Sequence, residues 1–122
     1  IDVTVMSFGY KYGLPMSADI VLDARFLPNP YYVDELRPMC GLDRPVRDYV
    51  FACQQTRDFM EQLEKMIDFL LPLYVEEGKL ALTIAIGCTG GQHRSVALAA
   101  ALNGHLGAQG VNSVNVNRDV DK

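Results

Sequence analysis

The chain has 122 residues, of which 49 % are hydrophobic and 21 % are charged. These values predict one globular domain over residues 1–122, and they exclude a long disordered segment. The apolar runs fall well short of the roughly 20 residues that a membrane-spanning helix needs, so no membrane partner is expected. With 11 Lys and Arg against 15 Asp and Glu, the net charge is −4. That balance argues against a general polyanion binder, because phosphate backbones are held by clustered positive charge.

The N-terminus and the cysteines indicate the context of the chain. It begins at Ile1 rather than at Met, which suggests a segment of a longer polypeptide. The three cysteines are an odd number and include no C-x-x-C pair, so neither a disulfide framework nor a zinc site is expected. We therefore expect no metal ion and a reducing, cytoplasmic environment.

The first third of the chain predicts two strands and the loops that follow them. Residues 1–8 are rich in β-branched side chains and predict a strand, and residues 19–24 form a short apolar run typical of a buried strand. Between them, residues 9–13 form a loop bracketed by glycines. Two prolines predict an extended loop over residues 26–32. A helical turn is expected over 34–39.

A long amphipathic helix is predicted over residues 54–77, after a helix start at Asp43. Its apolar residues recur at spacings of three and four and predict one buried face, with a partner-binding stripe as the alternative. The residues of that face are Phe59, Leu63, Met66, Ile67, Leu70, Leu71 and Tyr74. We expect Pro72 to kink or loosen the last turns, and Gly78 to end the helix.

The last third predicts a strand, a helix and a strand. Residues 80–86 are apolar at nearly every position, as in a strand of a parallel sheet that is covered on both faces. Residues 96–106 are rich in Ala and Leu and predict a helix, 107–110 a turn, and 111–116 a final strand. Strands that alternate with helices predict an α/β fold, with a mostly parallel sheet and flanking helices.

The segment Gly87–Ser95 is the candidate binding site. It joins the apolar strand to the following helix, and its glycines allow a tight turn close to a ligand. The N–H groups at the start of a helix, together with the helix dipole, favour an anion. Hydroxyl, imidazole and guanidinium groups add donors, and Arg94 can grip two phosphate oxygens at once. The candidate ligand-binding residues of the loop are Thr89, Gly90, Gly91, Gln92, His93, Arg94 and Ser95.

The spacing within this loop leaves an enzymatic alternative open. It does not fit the Walker A pattern, which needs Lys directly before the hydroxyl residue. Cys88 is instead followed by five residues and then by Arg94 and Ser95, which is the spacing of cysteine-dependent phosphatases. In that alternative, Cys88 attacks phosphorus, Arg94 holds the oxygens and Ser95 assists the leaving thiolate. A binding role without catalysis is the preferred interpretation.

Further polar residues follow the first two strands. If those strands run parallel to the third, their loops meet the candidate loop at one edge of the sheet. Lys11 and Arg25 could then add positive charge for a phosphate, and Asp23 and Asn29 could bind hydroxyl or amino groups. The alternative for Asp23 and Arg25 is a local structural ion pair.

Four segments in this order resemble the C-terminal domain of the RapZ/YvcJ family, and the likeness covers essentially the whole chain. They are Ser7–Gly13, Asp23–Pro30, Leu36–Val46 and Gly87–Val96. The resemblance implies a fold similar to a phosphofructokinase subdomain. It also implies a cytoplasmic bacterial protein whose N-terminal P-loop domain, absent here, would carry any ATP or GTP. No cofactor is expected in the present domain, and a homo-oligomer stays open.

The resemblance also implies a function. Enterobacterial members of the family sense glucosamine-6-phosphate with this domain, bind small regulatory RNAs, and present one of them to an endoribonuclease that tunes amino-sugar synthesis. The implied ligand pocket includes the glycine-rich loop. Gln92 stands where family members commonly have Lys, and the chain lacks a basic tail. These departures weaken the expectation of RNA binding and leave the expected anion pocket unchanged.

Overall fold

The computed structural model describes all residues from 1 to 122 and shows four strands and three α-helices. The strands are β1 (Asp2–Gly9), β2 (Ile20–Asp23), β3 (Ala81–Cys88) and β4 (Asn112–Asn117). The helices are α1 (Arg44–Phe51), α2 (Gln54–Glu77) and α3 (Arg94–Ala108). Short 3₁₀ turns occupy Tyr10–Tyr12 and Pro30–Tyr32. No helix is both long enough and apolar enough to cross a membrane.

The strands form one sheet in the order β2-β3-β1-β4, and all neighbouring pairs are parallel. The prediction of an α/β fold with a parallel sheet is therefore confirmed. Because the strands are parallel, their carboxyl ends meet at a single edge, as expected for the loops that follow β1, β2 and β3. Ligands of such sheets bind at this edge.

The main core lies between one face of the sheet and the helices. β1 contributes Val3 and Val5, and β3 contributes Leu82, Ile84 and Ile86, all of them almost fully buried. These side chains share one face because their strands pair in register. Helix α3 packs on β1, β3 and β4 and also contacts α1 and α2. Because α3 follows β3 after a short loop, the first turn of α3 lies near the carboxyl ends of the strands.

Helix α2 differs from its prediction in which residues are buried. Leu63, Ile67 and Leu71 are buried as expected, but Met66 is 53 % exposed. The apolar residues fall on more than one side of the helix, since positions 66 and 67 lie about 100° apart around its axis. The helix continues through Pro72 and ends at Gly78, whose φ is 96°.

Three boundaries also differ from the sequence-based expectations. The extended loop predicted over 26–32 ends in the 3₁₀ turn at Pro30–Tyr32, because the Asn29 side chain accepts a hydrogen bond from the Tyr31 N–H. Helix α3 begins two residues earlier than predicted, and it continues into the turn expected at 107–110. Cys88 belongs to β3, where it pairs with Gly9.

Candidate functional site

A cavity of about 280 Å³ opens at the carboxyl edge of the sheet. This volume is just below the usual range of small-molecule sites, about 300–1,000 Å³. Its wall combines the end of β3, the loop before α3, and residues that follow β1 and β2. The lining residues are Lys11, Asn29, Tyr31, Tyr32, Cys88, Thr89, Gly90, Gln92, His93 and Arg94.

The turn at Gly90–Gly91 depends on close contact with the end of β1. A Cβ atom on Gly9 would lie 2.5 Å from the carbonyl carbon of Gly90, and one on Gly91 would lie 2.5 Å from the backbone nitrogen of Gly9. Gly91 also has a φ of 76°, in the left-handed region that favours glycine. Thr89, the residue before this turn, is also held in place, since its carbonyl accepts a hydrogen bond from the Lys11 N–H. The glycines therefore allow the backbone at the end of β1 to pack directly against the backbone of the loop, and this contact fixes the conformation of the loop.

The loop carries a run of backbone donors. None of the N–H groups from Thr89 to His93 donates to a backbone carbonyl. The N–H groups of Arg94, Ser95 and Val96 follow, and the first hydrogen bond of α3 is donated by Ala97 to the His93 carbonyl. Free N–H groups at a helix start carry partial positive charge and are suited to an anion.

Arg94 is a buried positive charge without an acidic partner. Its side chain is only 4 % exposed, and it takes part in no ion pair. Its Nη1 donates to the carbonyls of Arg25 (2.7 Å) and Leu27 (3.1 Å). Its buried Nε has no hydrogen-bond acceptor. Because a buried charge is costly unless it is paired, this guanidinium is suited to a bound anion.

Two loop residues connect the cavity with other segments. The Nε2 of the buried His93 lies 3.2 Å from the Arg37 carbonyl, and because a carbonyl only accepts, Nε2 is the protonated nitrogen in this hydrogen bond. Gln92 donates from its amide nitrogen to the carbonyl of Lys122. The cavity wall is thus hydrogen-bonded both to the turn before α1 and to the last residue of the chain.

Cys88 and Ser95 lie at the base of the loop. The Cys88 thiol is buried and borders the cavity, and it donates to the Ser95 hydroxyl over 3.1 Å. Ser95 itself is fully buried and does not line the cavity. The alternative phosphatase reading requires these two side chains to be close together, and they are.

Of the residues predicted from the other loops, Lys11 and Asn29 line the cavity, whereas Asp23 and Arg25 do not. Asp23 and Arg25 form the local ion pair that was the alternative interpretation, with 2.7 Å between Arg25 Nη2 and Asp23 Oδ2. The hydrogen bond from Arg25 is the main cause that lowers the pKa of Asp23. Arg25 also stacks on the Tyr10 ring at 3.9 Å.

Tyr31 and Tyr32 were not among the predicted site residues. Both line the cavity, and both are largely exposed, at 52 % and 79 %. They are carried on the 3₁₀ turn that follows Asn29, and the guanidinium of Arg37 stacks over the Tyr31 ring at 5.0 Å. The available signal in the sequence was two consecutive tyrosines at the end of the proline-containing loop, since aromatic residues are enriched at binding surfaces.

The chain was compared with family profiles and with curated proteins, and both comparisons found extensive matches. A sequence profile described as the RapZ C-terminal domain matches residues 1–121. A curated relative in Caldanaerobacter subterraneus subsp. tengcongensis, named a nucleotide-binding protein, is 54 % identical over 120 residues. Relatives with the same kind of name are 55 % identical over 121 residues in Bacillus cytotoxicus and 48 % identical over 122 residues in Clostridium perfringens.

These alignments include almost all of this chain but only part of each relative. They cover 98 % of the chain and 42 % of the Caldanaerobacter protein, 98 % and 41 % for Bacillus cytotoxicus, and 100 % and 42 % for Clostridium perfringens. The chain thus spans about two-fifths of the length of the curated relatives it matches.

Proposed function

Because the chain belongs to the RapZ C-terminal domain family, we propose that it is a regulatory domain that binds a phosphorylated amino sugar similar to glucosamine-6-phosphate. The proposal rests above all on Arg94, a buried guanidinium without a carboxylate partner that borders a cavity beside free backbone donors. A phosphate dianion placed there would neutralise the guanidinium and accept hydrogen bonds from the loop. Charge-assisted bonds of this kind are roughly twice as strong as neutral ones.

The remaining wall of the cavity would hold the sugar. Tyr31 and Tyr32 present phenol rings with hydroxyl groups, which suit a ring that is apolar on its face and polar at its edge. The Asn29 amide oxygen is occupied by the Tyr31 N–H, so its amino group is left as the donor. Lys11 takes part in no ion pair, and it lies where it could add charge beside the phosphate.

Binding of the metabolite would be coupled to a partner through the residues that both line the cavity and contact other segments. A ligand that draws on Gln92 or His93 competes with their hydrogen bonds to Lys122 and Arg37. The loop would then have two arrangements, one with these hydrogen bonds intact and one with the metabolite in their place. A partner that binds one arrangement better would change the affinity for the metabolite, which is the basis of allosteric coupling. The resemblance names the partner as a small RNA or a nuclease protein, in the control of amino-sugar metabolism.

The basic residues around the cavity favour a compact anion over RNA. Arg25, Arg37 and Arg118 are paired with Asp23, Asp34 and Asp119, and Arg94 is buried. Few free cations therefore remain for a phosphate backbone. Any RNA held by phosphate contacts would bind more weakly as salt rises, because counterions are released on binding. An RNA-binding patch around Lys11, Arg25 and Arg94 is the alternative, and RNA retention that does not change between low and physiological salt would contradict it.

Calorimetric titration tests the proposed ligand. We expect glucosamine-6-phosphate to bind more tightly than inorganic phosphate, and glucosamine not to bind, because the phosphate makes the contacts with the loop and Arg94. At a ligand concentration of about 100 times its Kd, the domain should be stabilised by about 2.7 kcal/mol. Equal binding of glucosamine and its phosphate would overturn the proposal.

Two arginine variants provide the control. Arg94→Lys keeps the charge but loses the planar fork, and we expect it to weaken glucosamine-6-phosphate binding at least tenfold. Arg25→Ala removes a neighbouring arginine that is already paired and lies outside the cavity lining, so it should leave the affinity within about threefold. Circular dichroism would check that Arg94→Lys stays folded. Unchanged affinity in a folded Arg94→Lys variant would contradict the assigned role.

A cysteine-dependent phosphatase is the second candidate, favoured by the 3.1 Å contact between Cys88 and Ser95 beside the cavity. In that reaction the thiolate would attack phosphorus and the alcohol would leave with a proton from a general acid. No carboxylate lines the cavity, and His93 Nε2 is directed to the Arg37 carbonyl. The geometry therefore supports binding better than hydrolysis.

A further inference from the structure

Cys88 is the one cysteine of the chain that borders the candidate site. It is only 2 % exposed, yet it lines the cavity at the carboxyl edge of the sheet. Cys40 and Cys53 are half-buried and do not line that cavity, and all three residues are free thiols. A thiol that is closed to bulk solvent but open to a small cavity can be reached only by a small reagent.

The surroundings of this thiol favour negative charge. Arg94, on the same cavity wall, is 4 % exposed and takes part in no ion pair. Its buried Nε has no hydrogen-bond acceptor. The N–H groups from Thr89 to His93 donate to no backbone carbonyl, and no carboxylate lines the cavity to compete for these donors. An anionic group attached to the Cys88 sulfur would therefore be stabilised.

The sulfur is also held in place by a buried hydroxyl. Cys88 Sγ donates to Ser95 Oγ over 3.1 Å, and Ser95 is fully buried. A hydroxyl can donate as well as accept, so the same contact can hold the sulfur after it has lost its proton. The deprotonated sulfur is the form that acts as a nucleophile.

We propose that Cys88 is an oxidation site for hydrogen peroxide, and that its oxidised form and a bound anion exclude each other. This inference rests on the proposed anion site. The sulfur attacks one peroxide oxygen, the S–O bond forms as the O–O bond breaks, and the departing hydroxide takes up the thiol proton. The thiol and hydrogen peroxide thus give a sulfenic acid and water, with the sulfur oxidised and the peroxide reduced.

The added oxygen would take the place of the anion. Because Cys88 is otherwise enclosed, its new S–O group extends into the cavity of about 280 Å³. A second equivalent of peroxide converts the sulfenic acid to a sulfinic acid and releases a second water. The sulfinate carries a negative charge that can pair with Arg94, so a phosphate loses both space and charge. A phosphate that is already bound covers the sulfur and keeps peroxide away from it.

Peptide mass spectrometry after brief treatment with hydrogen peroxide tests the site. Cys88 should gain one oxygen atom, and two at higher doses, rather than form a disulfide, because no second cysteine lines the cavity. Inorganic phosphate at about ten times its Kd should slow this gain roughly tenfold, since only the free site reacts. Cys40 and Cys53 are internal controls, and phosphate should leave their oxidation unchanged.

Calorimetry with inorganic phosphate tests the reverse effect. Peroxide-treated wild type should bind phosphate at least tenfold more weakly than the untreated protein. Cys88→Ser lacks the thiol but keeps all five methionines, so peroxide should not change whatever affinity this variant has. Circular dichroism would check that the variant is folded, and the measurements on the wild type stand without it. A loss of binding in peroxide that Cys88→Ser shares would assign the effect to another residue.

Several results would overturn the proposal. One is oxidation confined to Cys40 or Cys53. Others are oxidation of Cys88 that bound phosphate does not slow, or that leaves phosphate binding unchanged. Absence of any phosphate binding would overturn the anion site and this proposal with it. Failure of glucosamine-6-phosphate alone to bind would overturn only the proposed ligand, because these measurements use inorganic phosphate.

Discussion

The carboxylate of Asp119 accepts a hydrogen bond from the backbone N–H of Gly9 over 2.7 Å, and so joins the segment after β4 to the end of β1. The same fully buried carboxylate is paired with Arg118 at 2.9 Å and with Lys122 at 3.0 Å. Gly9 in turn packs against the backbone of Gly90 and Gly91. Asp119 therefore supports the binding loop from behind, through the end of β1.

Replacement of Asp119 should destabilise the domain in a pH-dependent way. Burial by itself raises the pKa of Asp119, but hydrogen bonds from Arg118, Gly9 and Lys122 outweigh burial and hold the pKa below its ordinary value. A lowered pKa in the folded state gives stability that is complete above the unfolded value, about 3.9, and is lost as the pH falls through the folded value. We expect Asp119→Asn to cost about 1–3 kcal/mol at pH 7, by urea unfolding.

The pH dependence supplies the control for this prediction. The difference in unfolding free energy between wild type and Asp119→Asn should shrink between about pH 5 and pH 2, as the wild-type carboxylate becomes protonated. A difference that stays constant over this range would show that the carboxylate charge is not what stabilises the fold. Asp121→Asn, at an exposed neighbouring residue without an ion pair, should have no comparable effect.

The two adjacent glycines of the loop should respond differently to substitution. Gly91→Ala places a Cβ 2.5 Å from the Gly9 nitrogen at a residue whose φ is 76°, so it should cost at least about 3 kcal/mol of stability, from backbone strain and overpacking. At Gly90 a Cβ would meet no atom within 4 Å, and its φ is not positive. Gly90→Ala should keep the wild-type stability or gain up to about 1 kcal/mol. Thermal unfolding of both variants checks this, and equal losses would contradict it.

His105 on α3 joins the two longest helices. Its Nε2 lies 2.9 Å from an Asp68 oxygen on α2, and its Nδ1 lies 3.6 Å from Glu64. Both contacts are with side chains of α2, so His105 has a structural role. His105→Ala should lower the free energy of unfolding by about 1–2 kcal/mol, measured in urea at pH 7. His105→Gln, which can still donate to Asp68, should recover part of that loss.

The sequence predicted the order of the elements and the parallel sheet because both depend on local patterns. Alternation of apolar residues, glycine ends and helix periodicity are properties of short segments, and β1, β3 and α3 follow them closely. The face of α2 was harder to predict, since Met66 and Ile67 are both apolar, and only the position of the neighbouring elements determines which of them is buried.

The composition of residues 87–95 predicts an anion site, and that prediction stays one. In the structure Cys88, Thr89, Gly90 and Gln92–Arg94 border the cavity, whereas Gly87, Gly91 and Ser95 do not. The hydrogen bond from the Gly9 N–H to Asp119 and the approach of Gly91 to Gly9 join residues more than 80 positions apart. No spacing within the sequence reveals contacts of this kind. Tyr31 and Tyr32 line the cavity only because the Asn29 turn directs the chain there.

Substitution of Cys88 separates binding from hydrolysis. Cys88→Ser keeps a small side chain that can donate to the Ser95 hydroxyl as the thiol does, so glucosamine-6-phosphate should bind within about threefold of the wild-type affinity. We expect neither the wild type nor this variant to hydrolyse glucosamine-6-phosphate, because its alkoxide is a poor leaving group and no carboxylate lines the cavity to protonate it. Steady-state assays over pH 5–8 check the prediction. Hydrolysis by the wild type that disappears in Cys88→Ser would instead establish the thiol as a nucleophile, and the domain would then be an enzyme as well as a binding module.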